Sequence, residues 1–80
     1  MKELRKNYYI KFGEHLHLLL VKHNTDVMTV ASLGKLEPKQ VYRVLNGEHA
    51  ASMGTIIAIA KGLEIHPKEL FDFDFDLGKE

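Results

Sequence analysis

Signals that start and stop helices recur at short intervals along this 80-residue chain, and they constrain its fold more than any other feature. Asp26 can cap the start of a helix that Gly34 ends. The segment Glu37-Pro38-Lys39-Gln40 opens another helix, because proline at the first helical position loses no hydrogen bond and Gln40 completes a capping box. Asn46-Gly47 ends that helix, since both residues tolerate a positive φ. Such short elements predict a small helical bundle.

Apolar spacing of three and four residues, combined with these signals, predicts five helices. The first follows the apolar positions from Tyr8 to His23, and its start is either Asn7 or as early as Glu3. The remaining helices are predicted over 27–33, 38–45, 53–61 and 67–71, where Ser52 caps the fourth, Gly62 closes it, and His66-Pro67 opens the fifth.

These elements predict a single all-α domain over residues 1–80, a compact five-helix bundle. Residues 1–11 form an N-terminal extension of this domain, and residues 72–80 form an acidic, aromatic tail. The residues predicted to form the core are Leu16, Leu20, Val30, Ala31, Leu36, Val41, Val44, Leu45, Ile56, Ala60, Leu63 and Leu70.

The tail changes the period of its pattern from helical to two. In the segment 71–77, phenylalanines alternate strictly with aspartates, which is typical of a half-buried strand. A strand needs a partner, which could be the tail of another subunit or an extended stretch over residues 8–12. The alternative is an acidic end whose phenylalanines lie on the bundle.

Composition excludes several classes of protein. The chain has no cysteine, so disulfide-stapled folds, thiolate zinc sites and thiol nucleophiles are ruled out. Its longest apolar run spans only residues 18–21, which is too short for a membrane span, and we expect a soluble, cytoplasmic protein. The formal net charge is zero, but residues 1–23 carry +3 and residues 63–80 carry −4. The basic part could therefore face a polyanion.

Nothing in the sequence predicts an enzyme, a metal site or a cofactor. His15 and His17 are two residues apart on a predicted helix, so their rings point to different faces. His15 and His23 are eight residues apart and could share a face, but no third ligand stands at metal-site spacing. The isolated glycines do not form a phosphate-binding loop. A helical bundle of this size also lacks a cleft for a typical small-molecule substrate.

The segment 26–47 carries the most information. A short helix, a tight turn and a second short helix with polar residues in its first turns form a helix-turn-helix arrangement. In such a motif the first helix braces on the phosphate backbone, and the second presents its exposed first turns to the major groove of DNA.

The ordered set of motifs resembles the Cro/repressor-type (Xre-like) helix-turn-helix family, with a lambda repressor-like fold. The resemblance covers residues 12–72, and its pieces are Phe12-Gly13-Glu14, Val30-Ala31, Leu36, Val41 with Arg43-Val44, Asn46-Gly47, Ser52 with Ile56, Ala60-Lys61-Gly62-Leu63, and Pro67-Lys68-Glu69-Leu70-Phe71.

The sequence departs from the family pattern at three places. Asp26-Val27 stands where the family has Ser-Gln, and valine cannot make the phosphate contact that the resemblance assigns to the glutamine. Gly34-Lys35 stands at the turn, so either Lys35 takes a positive φ or the turn shifts by one residue. Leu20 and Leu45 replace an Arg–Glu pair, which is a compensated change because an apolar pair can match a buried ion pair.

The resemblance implies a regulator that binds double-stranded DNA as a homodimer on a pseudo-palindrome, with the helix over 38–45 in the major groove. The residues predicted to contact bases are Pro38, Lys39, Gln40, Tyr42 and Arg43. Those predicted to contact phosphates are Lys35, Asn46 and His49. The alternatives are that the cations are ordinary solvated charges, and that Tyr42 packs on its neighbours.

A second hypothesis is that the helix-turn-helix serves as a protein-interaction or antitoxin-like accessory module without specific DNA binding. The neutral net charge, the missing glutamine and Glu48 beside the expected phosphate favour it. A basic field around the third helix would indicate DNA, whereas an apolar or mixed patch there would indicate a protein partner.

Overall fold

The computed structural model describes residues 2–48 and 50–78, and this part of the chain folds into four α-helices followed by one 3-10 helix. The α-helices are α1 (Lys2–Lys22), α2 (Val27–Gly34), α3 (Pro38–Leu45) and α4 (Met53–Leu63), and the 3-10 helix is Pro67–Phe71. The predicted all-helical class is confirmed, but the count of five α-helices is not. The last element has only five residues, which suits the tighter 3-10 hydrogen bonding of a short connector.

Helix α1 is longer than the apolar pattern alone indicates. It begins at Lys2, so most of the segment predicted as an N-terminal extension forms the first half of this helix. The sequence from Lys2 to Phe12 contains no glycine or proline, and Glu3 lies in the first turn, where a carboxylate is favourable. Of the two predicted starts, Glu3 and Asn7, Glu3 is closer to the observed start at Lys2.

The predicted start signals of α2 and α3 are confirmed as caps. The backbone N–H of Thr29 donates to Asp26 Oδ1 over 2.8 Å, and the backbone N–H of Glu37 donates to Gln40 Oε1 over 2.9 Å. Lys35 follows α2 in the left-handed conformation, with φ 58° and ψ 45°. The turn therefore keeps its length, and lysine occupies a position that favours glycine.

Helix α4 begins as predicted and ends differently. The backbone N–H of Thr55 donates to Ser52 Oγ over 3.1 Å, which confirms the cap. Gly62 does not close the helix, because it lies inside α4, buried, and a Cβ there would overlap the backbone of Val30. The left-handed residue that ends α4 is Glu64, with φ 61°. Gly62 thus serves the close packing of α4 on α2.

The core lies between the helices and confirms most of the predicted set. Leu36, Leu45 and Ile56 are only partly buried and pack against its edge. The buried apolar residues are Phe12, Leu16, Leu19, Leu20, Val27, Val30, Ala31, Val41, Val44, Ile59, Ala60, Leu63 and Leu70.

The tail contains no strand within the described residues 72–78, so the predicted strand is not found. Its phenylalanines instead lie on α1. The ring centroids of Tyr8 lie 5.1 Å from Phe73 and 4.8 Å from Phe75, and Phe12 lies 5.1 Å from Phe71. The alternation places these rings on one side of the tail, where they meet aromatic partners on a helix rather than a second strand.

Candidate nucleic-acid interface

Helix α3 is held by packing on both α1 and α2. Val41 and Val44, on the inner face of α3, are buried. Gly13 of α1 lies directly against the backbone carbonyls of Val44 and Leu45. A side chain at position 13 would overlap those carbonyl oxygens, so glycine permits the close approach of the two helices. The position of α3 on the bundle is therefore well defined.

The opposite side of α3 is exposed. Lys39, Tyr42, Arg43 and Asn46 are exposed and follow one another at spacings of three, one and three residues, which places them on one face of the helix. Half of the surface of Tyr42 is accessible, so this ring is not packed into the core. The structure thus brings four of the predicted contact residues together on one surface.

The other two predicted base-contacting residues lie differently. Pro38 is the first residue of α3, and both Pro38 and Gln40 are half-buried. The side-chain oxygen of Gln40 accepts the hydrogen bond from the backbone of Glu37, so it already caps its own helix. Only the amide nitrogen of Gln40 remains to donate to another molecule.

The residues predicted to contact phosphates lie at the two ends of α3. Lys35 is exposed in the turn before the helix. Asn46 follows the helix and donates through Nδ2 to Glu48 Oε2 over 3.3 Å. His49 lies outside the described residues.

The exposed charges around α3 are mixed, with three cations and two acids. Lys35, Lys39 and Arg43 are exposed cations, and Glu37 and Glu48 are exposed acids.

At the start of α2, the hydrogen bond from the Thr29 backbone lowers the pKa of Asp26 from its ordinary value. That carboxylate is therefore committed to its cap.

An open apolar groove, which the sequence did not indicate, runs beside α3. Leu18, Val21 and Met28 line it and are 65%, 68% and 63% exposed, and Tyr42 and Leu45 form its α3 side. The groove has a volume of about 870 Å³. The available signal was the spacing of Leu18 and Val21, which share a face outside the apolar stripe that forms the core.

The pair that replaces the family's Arg–Glu pair borders the same groove. Leu20 is buried and Leu45 is partly buried, and both line the groove. Two apolar side chains at these positions leave no buried charge without a partner, as expected for a compensated change.

Neither a membrane-spanning element nor a metal cluster occurs in the described part of the chain. No helix there is long and apolar enough to cross a membrane. Among residues 2–48 and 50–78, no three His, Asp or Glu side chains are grouped to hold an ion.

The fold and the exposed face of α3 define a small helix-turn-helix protein. The chain matches no protein-family model, and no curated protein matches it. Among solved structures, it is similar to the restriction-modification controller protein C.AhdI from Aeromonas hydrophila. The TM-score is 0.76 and the identity is 32%, over 81% of this chain and 98% of that one. The chain belongs to the Cro/repressor-type (Xre-like) helix-turn-helix family of transcription regulators.

Proposed function

We propose that this protein is a transcription regulator that binds double-stranded DNA sequence-specifically and inserts α3 into the major groove. The observation that carries the proposal is the exposed face of α3, where Lys39, Tyr42, Arg43 and Asn46 stand together on a helix fixed by α1 and α2. The similarity to C.AhdI, a controller protein, supports a regulatory role.

The residue types on this face and in the first turn of α3 suit base recognition. Lys39 and Arg43 can donate to guanine O6 and N7, and the Gln40 amide nitrogen can donate to a base acceptor. Tyr42 and Pro38 offer apolar surface to thymine methyl groups. Lys35, Asn46 and His49 are proposed to contact phosphates on either side of the groove, which positions α3 without reading sequence.

The domain is further proposed to act as a homodimer. One α3 reads only one major-groove segment, and regulators of this architecture reach their affinity by pairing two half-sites about 34 Å apart. The bound site would then be a pseudo-palindrome that mirrors the two-fold axis of the protein.

Selection from a pool of random duplexes, at low and near-physiological salt, tests this function. We expect enrichment of a palindromic motif that is also selected at the higher salt concentration. Base contacts distinguish one DNA sequence from another, whereas counterion release from phosphates is the same for every sequence. Weak binding that vanishes with salt and enriches no sequence would overturn the proposal.

Two variants then distinguish residues that contact bases from residues that contact phosphates. Arg43→Ala should relax base preference at one position of each half-site, at a cost of about 1–3 kcal/mol in discrimination. Lys35→Ala should weaken binding to all duplexes alike and reduce the salt dependence. Lys61→Ala, which removes an exposed cation from α4, is the matched control and should change neither property. Equal weakening by Arg43→Ala on every duplex would contradict the base-reading role.

The apolar groove favours a second candidate function, a protein-interaction module. Leu18, Val21 and Met28 place exposed apolar surface beside Tyr42. An exposed apolar patch suits a protein partner, whereas binding to DNA would require only a basic surface. If this function holds, Leu18→Ser should abolish capture of a protein partner and leave duplex binding unchanged. Loss of duplex enrichment with retained partner binding would favour this module over the regulator.

A further inference from the structure

The N-terminal half of α1 lies beside the carboxyl end of α3. Gly13 contacts the last carbonyls of α3, and one turn earlier Ile10 contacts Gly47 just after that helix. Beyond Ile10, toward the N-terminus, the side of α1 that faces α3 therefore runs past the end of α3. A helix rises 1.5 Å per residue, so Lys6 lies about 10 Å along α1 from Gly13.

This side of α1 becomes basic where α3 no longer covers it. Arg5 and Lys6 are exposed and precede Tyr9 and Ile10 by four residues, so all four side chains share a face. Together with Asn46 and the segment 47–48, they line an open groove. Asn46 is one of the residues proposed above to contact phosphate.

The charged residues that line the groove favour an anion on its α1 side. Two cations stand on the α1 side, and one acid, Glu48, stands on the α3 side, where it accepts a hydrogen bond from Asn46. An anion would therefore lie against Arg5 and Lys6. If α3 lies in the major groove as proposed above, the phosphate backbone beside the carboxyl end of α3 would pass this groove, and each cation could neutralise one phosphate.

We infer that Arg5 and Lys6 form an additional DNA-backbone contact, which extends the protein's footprint beyond the segment read by α3. The inference rests on the proposed function, because it requires α3 to lie on duplex DNA.

The test compares duplex binding of the wild type with that of the double variant Arg5→Ala/Lys6→Ala at a series of salt concentrations. The probe is a mixed-sequence duplex of about 40 base pairs, since phosphate contacts need no particular sequence. Loss of two phosphate contacts should reduce the slope of log K against log salt by about 2. The affinity lost between about 50 and 200 mM salt should then be about tenfold smaller than for the wild type.

Two further variants make the test specific. Lys61→Ala/Lys68→Ala removes the same charge from α4 and the 3-10 helix, and should retain the wild-type slope. Arg5→Lys/Lys6→Arg keeps both charges and should also retain it. Circular dichroism and the urea midpoint verify that α1 remains folded in each variant.

The outcomes separate this inference from the proposed function. Equal slopes for Arg5→Ala/Lys6→Ala and Lys61→Ala/Lys68→Ala, with tight wild-type binding, would overturn the additional contact and leave the regulator intact. Absence of wild-type binding would overturn both. Hydroxyl-radical footprinting on a duplex selected as under Proposed function gives an independent readout, because the double variant should lose protection of some backbone positions and keep it over the segment that α3 reads.

Discussion

The helix-turn-helix segment, residues 26–47, and the aromatic cluster of Tyr8, Phe12, Phe71, Phe73 and Phe75 are held together in different ways. In the first, the cap hydrogen bonds join residues only three apart in sequence. In the second, ring contacts join residues about sixty apart. Helix α1 connects the two regions, since Gly13 contacts α3 while Tyr8 and Phe12 contact the tail. The tail thus braces the helix on which the candidate interface rests.

The contact between α1 and α3 is very close at Gly13, and Gly13→Ala should break it. The added methyl group would overlap the carbonyl oxygens of Val44 and Leu45, which belong to the backbone and cannot rotate away. We expect a loss of about 2 kcal/mol or more in the free energy of unfolding, measured by urea denaturation.

Gly54→Ala is the matched control. Gly54 is exposed in α4, and the nearest atom to a Cβ there is Ser52 Oγ at 3.9 Å. Alanine should stabilise the protein by about 0.5–1 kcal/mol, because it favours the helix. If both glycine variants gained stability, the close packing of α1 on α3 would be contradicted.

Removing one ring tests the aromatic cluster. Phe73 is half-buried, and its ring centroid lies 5.1 Å from Tyr8, 6.3 Å from Phe12 and 5.3 Å from His15. Phe73→Ala should cost about 1–2 kcal/mol, less than a fully buried phenylalanine would. Urea denaturation measures the loss.

The same cluster predicts a spectroscopic change. Burial raises the pKa of the Tyr8 hydroxyl above its ordinary value, so Phe73→Ala should lower it toward that value in an ultraviolet titration. Leu77→Ala, in the exposed part of the tail, should leave both the pKa and the stability unchanged. A loss that varied with protein concentration would indicate that the tail pairs between subunits instead.

The contrast between the two regions explains which features the sequence could predict. Asp26, Gln40 and Ser52 act on backbone groups three residues away, so their caps follow from local spacing alone. The tail has the period of a strand, but its partners lie on α1, and a local pattern carries no information about which distant surface it meets. The prediction of a strand failed for that reason.

The candidate site divides in the same way. The exposed face of Lys39, Tyr42 and Arg43 follows from helical spacing once α3 is placed. The sequence predicted that Gln40 completes a capping box and also that it contacts a base. Only the structure shows that the cap occupies its side-chain oxygen, which leaves the amide nitrogen for a base contact. The groove beside α3 and the basic end of α1 depend on how helices cross, which spacing within one helix does not determine.

Lys35, the left-handed residue in the turn before α3, should affect both the stability of the fold and the binding of DNA. Lys35→Gly should raise the free energy of unfolding by about 0.5–1 kcal/mol, because glycine adopts φ 58° without strain. It should also weaken binding to every duplex, since a proposed phosphate contact is lost. Glu64→Gly, at the equivalent position after α4, should give the same stability gain with no loss of binding. Equal effects of the two variants on binding would remove Lys35 from the interface.

The smallest expected effect concerns the cap of α2 and depends on pH. The hydrogen bond from Thr29 lowers the pKa of Asp26 in the folded state, so the carboxylate stabilises the protein fully above its unfolded pKa of about 3.9. That contribution is lost as the pH falls through the lower, folded value. Asp26→Asn keeps a capping oxygen that does not titrate. The difference in urea midpoint between wild type and Asp26→Asn should be constant from about pH 5 to 7 and shrink below about pH 4. Asp26→Ala removes the cap altogether, so its deficit relative to Asp26→Asn should persist across the whole range. If instead the deficit of Asp26→Ala relative to the wild type disappeared at acidic pH, the Asp26 side chain would act through its charge alone.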